Sequence, residues 1–267
     1  MNLNSDNYYS IQANQEYMSV SVYKDFVGTW AHHGCEFTAL KKLNGEWVEP
    51  KNTAMMVGSY IDAYVEGTLD RFKVDNPDIF RRDGALRSEY VKANQIIQRM
   101  RADELFMTYL MGEKQTIMTG ELFGTKWKIK MDSYVPGVSI VDLKVMKSIS
   151  ELHWSKDLGY IDALRYWNYD IQGAVYQEIV YQNTGHRLPF YIAVVTKEAE
   201  PDVRIVQITQ NHLDAAMCSV EAKMPRILRL KRGEEVPDRC ECCDCCRHFR
   251  VLSKPISLDD LTSQIAV

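Results

Sequence analysis

Three side chains set the problem: Asp132, Asp142 and Lys144, all within the stretch 120–147, GELFGTKWKIKMDSYVPGVSIVDLKVMK. Asp142 and Lys144 are two residues apart in a segment that reads as a strand. They therefore share one face, while Val141, Leu143 and Val145 point the other way. Asp132 ends the preceding strand-like segment, so the stretch reads as two strands around a turn. If those strands are neighbours, the two carboxylates converge, and their titrations couple unless a cation neutralises them. Hard carboxylate oxygens suit Mg²⁺, which also takes phosphate oxygens and waters. Lys144 beside them could orient or deprotonate a water, or stabilise a phosphorane-like transition state. Glu121, on the first strand, is a candidate further ligand or water-positioning group. Acid–base alternation is also common on solvated strands, so the surrounding elements must decide.

Those elements can be read in order. Residues 1–16 read as a flexible arm, followed by a short helix in SVSVYKDF with Ser19 or Ser21 as cap. A second helix is expected over 35–43, stopped by Asn44-Gly45. Residues 55–72 read as one longer helix on which Asp62 and Glu66 share a face. A solvated surface, a shared cation or a basic partner would each explain that like-charged pair. A loop over 73–88 and a helix over 90–110 follow, then a short strand over 115–119 and a meander through 144. Next come a connecting segment over 149–154, a helix over 162–181, strands over 190–196 and 203–208, and a helix over 213–230 interrupted near Pro225. This order predicts an α/β (α+β) fold with one central mixed sheet flanked by helices. No glycine-rich dinucleotide or P-loop motif is present.

Composition narrows the class. The 267 residues carry 32 basic and 36 acidic side chains, a net charge of −4, which argues against nonspecific coating of nucleic acid but leaves room for a local basic groove. The polar start MNLNSDNYYS is not followed by an apolar signal core, and no run of about 18 apolar residues appears, so no membrane association and a cytoplasmic location are expected.

Taken together, Asp132, the triplet Asp142-Leu143-Lys144 and the later Gln172-Gly173-Ala174-Val175-Tyr176 resemble the PD-(D/E)XK nuclease superfamily, in its RecB-like, RecE-type phage exonuclease branch. That family ends one strand on Asp, carries D/E-x-K on the next, and places Q-x-x-x-Y on the following helix. An upstream family helix carries a metal-binding His after a Gly. Here Gly58-Ser59-Tyr60-Ile61-Asp62 puts Asp62 in that position, a departure that still offers Mg²⁺ an oxygen ligand. The resemblance implies a restriction-endonuclease-like core over 55–235, between N-terminal helices over 1–54 and a cysteine-rich segment and tail over 236–267. It implies phosphodiester hydrolysis with one or two Mg²⁺ ions, Mn²⁺ being a substitute, held by Asp132, Asp142, the Leu143 carbonyl and Asp62. Gln172 would place Lys144 or the scissile phosphate, and Tyr176 would contact DNA or brace the site.

The implied substrate is a double-stranded DNA end, cut 5′ to 3′ in phage recombination inside a bacterial host. A single-strand annealing protein and a homo-oligomer are the implied partners. The alternatives are a structure-selective or Cas4-like endo/exonuclease, and a catalytically idle DNA-binding protein. Lys126, Lys128 and Lys130 alternate onto the face of Asp132, leaving Trp127, Ile129 and Met131 for the core. With Lys147 and Lys156 they could line a DNA approach, and Trp154 and Tyr160 offer rings for a terminal base.

Five of the seven cysteines fall between 240 and 246. Cys240, Cys243 and Cys246 stand at C-x-x-C intervals, a pattern that favours metal over disulfides in a reducing compartment. Zinc or an iron–sulfur cluster needs a fourth ligand, for which Cys242, Cys245, His248 and distant Cys35 are available. The resemblance points to Cys35, because some RecB-like nucleases staple their N-terminal region to a C-terminal cysteine triplet through a [4Fe–4S] cluster. Cys218 is expected in a helix core, and His32 and His33 in a loop.

Overall fold

The computed structural model describes residues 1–50, 52–252 and 255–258, so the end of the tail expected over 236–267 lies outside the described residues. The first eighteen residues are not a loose arm. Ser10 caps a short helix α1 (Ile11–Glu16) on which Ala13 is buried. Met18 exchanges backbone hydrogen bonds with Lys126 and Lys128, both 2.8 Å, which fastens the segment to a strand far along the chain. Ser19 then caps α2 (Val20–Val27), and Cys35 caps α3 (Glu36–Leu43).

Three of the four long expected helices are broken where a local signal outweighs the apolar pattern. The first is α4 (Thr53–Val65) followed by α5 (Leu69–Asp75). Gly67, at φ 76°, ends α4. Thr68 N–H donates to the Ala63 carbonyl at 2.8 Å and Gly67 N–H to Tyr64 at 3.1 Å, a paired closure that needs a left-handed residue. A short 3-10 turn at Pro77–Ile79 follows, within the expected loop. The second divides into α6 (Ser88–Arg101) and α7 (Glu104–Tyr109), because the Asp103 carboxylate accepts from Phe106 N–H at 3.0 Å and starts a new helix.

The sheet elements come next: β1 (Thr116–Leu122), β2 (Thr125–Met131), β3 (Ser133–Val135), β4 (Ser139–Met146), β5 (Leu152–Ser155) and β6 (Gly159–Asp162). The third expected helix is α8 (Ala163–Tyr166) and α9 (Tyr169–Thr184), parted at Asn168, which sits at φ 50°. The chain continues through β7 (Phe190–Thr196), β8 (Val203–Ile208), α10 (Gln210–Lys231) and α11 (Asp244–His248). Pro225 does not interrupt α10. It and Glu221, whose carbonyl loses its intrahelical donor, both face solvent, where water replaces the missing bond.

The single expected meander is two structures. β1 and β2 form a separate antiparallel hairpin, while β3, β4, β7 and β8 form a mixed sheet in that order. β4 and β7 run parallel, and β3 and β8 flank them antiparallel. β4 is thus an interior strand, not an edge. Alternation along it gives two faces. Val141 and Leu143 join Ala193, Val195 and Val203 in a core under α4, α6 and α7. Ile140 and Met146 join Phe190, Ile192 and Val194 in a second core beneath α9 and α10. Asp142 and Lys144 occupy the two positions between Ile140 and Met146, on the α9 side. Among the described residues no helix is long and apolar enough to cross a membrane.

α9 lies close to β7 and α10 at Gly173. A methyl group added there would meet Phe190 Cδ1 at 2.5 Å and Leu213 Cδ2 at 2.7 Å, both in the packed interior. Gly173→Ala is expected to cost about 1–3 kcal/mol through overpacking. Urea unfolding of the two proteins measures this, and an unchanged midpoint would contradict the close approach.

Candidate active site

The polar groups in the middle of this apolar row are tied to one another. Asp142 is 2% exposed. Its Oδ1 accepts from Gln172 Nε2 at 2.5 Å, and its Oδ2 forms an ion pair with Lys144. Oδ2 is also fully buried without a well-formed hydrogen bond, so it retains acceptor capacity. Asp132, in the corner between β2 and β3, reaches across to β4, where its Oδ2 accepts from Leu143 N–H at 2.9 Å. Its Oδ1 accepts from Gln115 Nε2 at 3.4 Å. The Tyr176 hydroxyl, one turn along α9 from Gln172, donates to the Lys130 carbonyl at 3.1 Å and so braces β2 just before Asp132.

The electrostatics reflect several carboxyls sharing few cations. Burial, then Asp142 and Asp62, push Asp132 well above the usual carboxyl range, against the pull of Lys144. Asp62, on α4, rises to about 7, chiefly through burial, with Asp142 and Glu66 adding to the rise. Burial opposes the Lys144 charge, yet Asp142, Tyr169 and Asp132 together hold its ammonium well above the ordinary lysine range. Asp62, Asp132, Asp142 and Lys144 are therefore electrostatic neighbours. Asp62 and Glu66 face a cleft of about 580 Å³ that Lys114, Gln115, Lys130 and Tyr9 also line. The donor set, hard carboxylate oxygens of which Asp142 Oδ2 already pairs with Lys144, is of the kind a hard divalent cation takes.

Not every expected residue comes to this centre. Glu121 pairs with Lys126 near the turn of the β1–β2 hairpin, at the opposite end from Met131 and Asp132. Its backbone is tied to Gln182 on α9, so it lies away from the centre rather than in it. Lys128 does not line a DNA path. It is 1% exposed, binds the Tyr8 carbonyl and reaches Asn14 Oδ1 at 2.7 Å, and burial brings its amine down to about 8. The alternation is as expected, with Trp127, Ile129 and Met131 buried, but the N-terminal segment covers the lysine face. Lys130 stays at the cleft, against the rings of Tyr8 and Tyr9.

Two residues of this neighbourhood escaped the sequence. Lys24 of α2 donates to the Trp167 carbonyl at 2.8 Å. Its amine lies 5.1 Å from the centre of the Tyr169 ring, and that of Lys144 lies 5.0 Å from the same centre. Burial, and then Lys144, bring Lys24 down to about 7. Neither carries a local signal in the chain; Tyr169 opens α9 directly after Asn168, which sits at φ 50°.

A second cluster lies where α3 meets α11. Cys35, Cys240, Cys243 and Cys246 bring their sulfurs within 4.8 Å of one another, a group able to hold a metal. Cys35 Sγ is 3.5 Å from Cys246 Sγ, and Cys240 Sγ is 3.9 Å from it. Burial works against the Cys35 thiolate, but hydrogen bonds from Thr38, the Cys240 segment and Cys246 bring it down to about 7. Burial pushes the Cys246 thiol up. Cys242 is exposed, Cys245 is buried outside the quartet, and His248 packs on Trp47 and Phe249. Cys218 is exposed on α10, not in its core, because the buried positions of that helix are Leu213, Ala216, Val220, Met224, Ile227 and Leu230.

No curated protein matches the sequence. A crystal structure from Eubacterium rectale, described as a "Putative exonuclease", is 63% identical, covers 98% of this chain and 99% of its own, and superposes with a TM-score of 0.96. The structure of a protein called SSO0001 aligns at 11% identity over 78% of this chain and 91% of its own, with a TM-score of 0.31, too low to carry meaning. Residues 19–249 match the model of a family described as a PDDEXK-like domain of unknown function (DUF3799). The mixed sheet, the two carboxylates meeting across β4 and the neighbouring lysine are thus those of a chain that belongs to this PDDEXK-like family.

Proposed function

We propose that this protein is a Mg²⁺-dependent deoxyribonuclease of the RecB-like, RecE-type branch. It acts as an exonuclease on duplex DNA ends, 5′ to 3′, in phage-type recombination in the cytoplasm. One observation carries the reading: an aspartate and a lysine fill two adjacent inward positions of an interior strand that is otherwise apolar. A fold does not place an ionised pair there for stability, since apolar residues of similar size would serve as well or better. The exonuclease description of the 63% identical protein points the same way.

In this proposal Asp132, Asp142, the Leu143 carbonyl and Asp62 hold the cation. When bound, Mg²⁺ or Mn²⁺ supplies Lewis-acid activation of a water and charge stabilisation at the phosphate. Gln172 fixes the rotamer of Asp142 through Oδ1, leaving Oδ2 beside the Lys144 ammonium. Leu143 N–H fixes Asp132, and Tyr176 holds the strand that delivers it. Lys144 enters as an ammonium and acts by neutralising charge that develops on a phosphate oxygen. The cysteine quartet favours one alternative within the same chemistry, a Cas4-like end processor. The intact Asp132, Asp142 and Lys144 argue against an idle DNA-binding protein.

For the quartet, the C-x-x-C-x-x-C run with a remote fourth cysteine resembles the ligand spacing of bacterial [4Fe–4S] proteins. The compact sulfurs instead suit one tetrahedral Zn²⁺, whose bonds of about 2.3 Å would space thiolates about 3.8 Å apart. Either group would tie α3 to the C-terminal segment.

End-labelled linear duplex DNA with Mg²⁺ is expected to yield labelled mononucleotides while closed circular duplex survives. Asp142→Asn and Lys144→Ala should each slow the reaction by roughly 10²–10⁴-fold, measured where circular dichroism shows the variant folded, although both unfold at lower urea than the parent. Cutting of the circle would overturn the exonuclease reading, and full activity in both variants would overturn the site.

The raised carboxyls give a pH dependence. Protons hold Asp62 up to about 7, so a cation must displace them at lower pH. Titration calorimetry should show Mg²⁺ affinity falling as pH drops from about 8 to 6, with proton release on binding. The sign for stability is opposite in the metal-free protein. A carboxyl whose folded value stands above 3.8 loses stabilisation as pH rises from there towards about 7.

Purified protein is expected to carry metal that Cys35→Ser removes. Metal analysis and absorption at about 400 nm separate a brown cluster from colourless zinc. The same variant should make the segment after α10 more sensitive to protease. Equal metal content in both proteins would contradict the quartet.

A further inference from the structure

Gln115 stands where two paired segments part. Thr116 opens β1 opposite Met131, while Glu113 and Tyr134 exchange backbone hydrogen bonds of 2.8 and 2.9 Å. Between these two pairs Lys114 and Gln115 lie across from Asp132 and Ser133, and no ladder pair joins them. Gln115 crosses this gap at φ 53°, a left-handed backbone that glycine or asparagine ordinarily fills. Phe123 has the same φ of 53°, but there the two-residue turn of the β1–β2 hairpin requires it, with Gly124 following at 77°. No hairpin turn requires it at Gln115.

The side chain placed in this way touches the candidate centre and is only half served. Its Nε2 donates to Asp132 Oδ1 at 3.4 Å. Its Oε1 is buried and has no hydrogen-bond donor. Among the described residues the other buried side-chain atom of that kind is Asp142 Oδ2, and there the Lys144 ammonium stands alongside. A buried acceptor without a donor is unfavourable, and so is a left-handed glutamine. Both fall on one residue, which lines the cleft together with Asp62.

We propose that Gln115 Oε1 is a further ligand of the divalent cation, beside Asp62, Asp132 and Asp142. The proposal rests on the nuclease reading for the presence of that cation. An amide carbonyl is a hard oxygen of the kind such ions take. The orientation of the amide is consistent with this. Asp132 is ionised when it holds a cation and can then only accept, so the NH₂ end faces it and the oxygen is left free. The charge is consistent too. One divalent cation balances three carboxylates and the Lys144 ammonium, so a neutral amide adds an oxygen where a fourth carboxylate would add excess charge.

Titration calorimetry with Mg²⁺, in the full-length chain and without DNA, tests this. Gln115→Ala is expected to bind Mg²⁺ roughly ten- to hundredfold more weakly. Gln115→Gly removes the strained backbone as well as the amide. It should bind as weakly as the alanine variant yet unfold at higher urea, which separates lost affinity from lost fold. Bound Mn²⁺ reports how many waters it carries through the relaxation of water protons, and Gln115→Ala is expected to add one water in place of the lost oxygen. Unchanged Mg²⁺ affinity overturns the proposal. Weaker affinity with an unchanged water count also overturns it, because Gln115 would then act only by holding Asp132. A parent that binds neither ion overturns it together with the cation centre. A parent that binds Mg²⁺ and cuts no DNA removes the nuclease reading alone, and the comparison at Gln115 still decides the ligand.

Discussion

Holding the buried Asp142 carboxylate in the central strand against a half-buried Lys144 ammonium is the constraint on which the rest of the structure turns. Taking two ions out of water costs several kcal/mol each, and their attraction offsets this only when the remaining polar atoms find partners. The partners arrive from elements distant in sequence. α9 brings Gln172 to Oδ1 of Asp142. The corner after β2 brings Asp132, whose own burial is relieved by the Leu143 N–H on β4. The Tyr169 ring, at the start of α9, covers the Lys144 amine. Replacing one member of the pair would leave the other buried and uncompensated, which is worse than never having had the pair. The site and the local fold therefore constrain each other.

Both ends of the chain serve that arrangement. The N-terminal segment lies over β2 through Met18 and Tyr8, and it sequesters Lys128 while leaving Lys130 at the cleft. At the other end, Arg226 of α10 binds Glu36 of α3 as well as Glu235 and Asp238, and the cysteine quartet joins the same α3 to α11. α3 follows α2, which supplies Lys24 to the rear of the Tyr169 ring. The cysteine cluster thus stands two short helices away from the carboxylates and is connected to them by packed structure.

The sequence carried the period-2 elements well. β7 and β8 have the bounds their sequences predict: β7, an interior strand, is continuously apolar, and β8, at the sheet edge, alternates apolar and polar residues. The nearness of Asp132, Asp142 and Lys144 is legible in strand spacing, and that of Gln172, Tyr176 and Cys35 in the family resemblance. Helix ends were less legible. Gly67, Asp103 and Asn168 each stop or restart a helix by a single backbone or capping event that an apolar pattern of period 3.6 does not register. The placing of Glu121 failed because residues on one strand were assumed to share one neighbourhood. Seven residues of extended chain separate the ends of β1, and only the far end approaches Asp132. Lys128 failed for a tertiary reason: alternation gives the face, but not what covers it. Lys24 and Tyr169 belong to no local pattern, and their relation exists only after α2 packs beside α9.

Charge balance links the remaining observations. Asp62, Asp132 and Asp142, fully ionised, bring three negative charges to a region where Lys144 supplies one positive charge. Without a further cation, the least costly answer is for carboxyls to keep protons, and Asp62 and Asp132 are raised for that reason among others. A divalent cation is the other answer to the same imbalance, since it would bring the four groups to neutrality without protons. Lys24 indicates how finely the region is balanced. Although Asp170 and Asp142 favour its charge, burial and the nearby Lys144 ammonium oppose it more strongly. The centre therefore accepts one buried ammonium readily and a second one poorly. Its unmet charge lies among the carboxyls of Asp62, Asp132 and Asp142, and not at the Tyr169 ring, where the amines of Lys24 and Lys144 already stand.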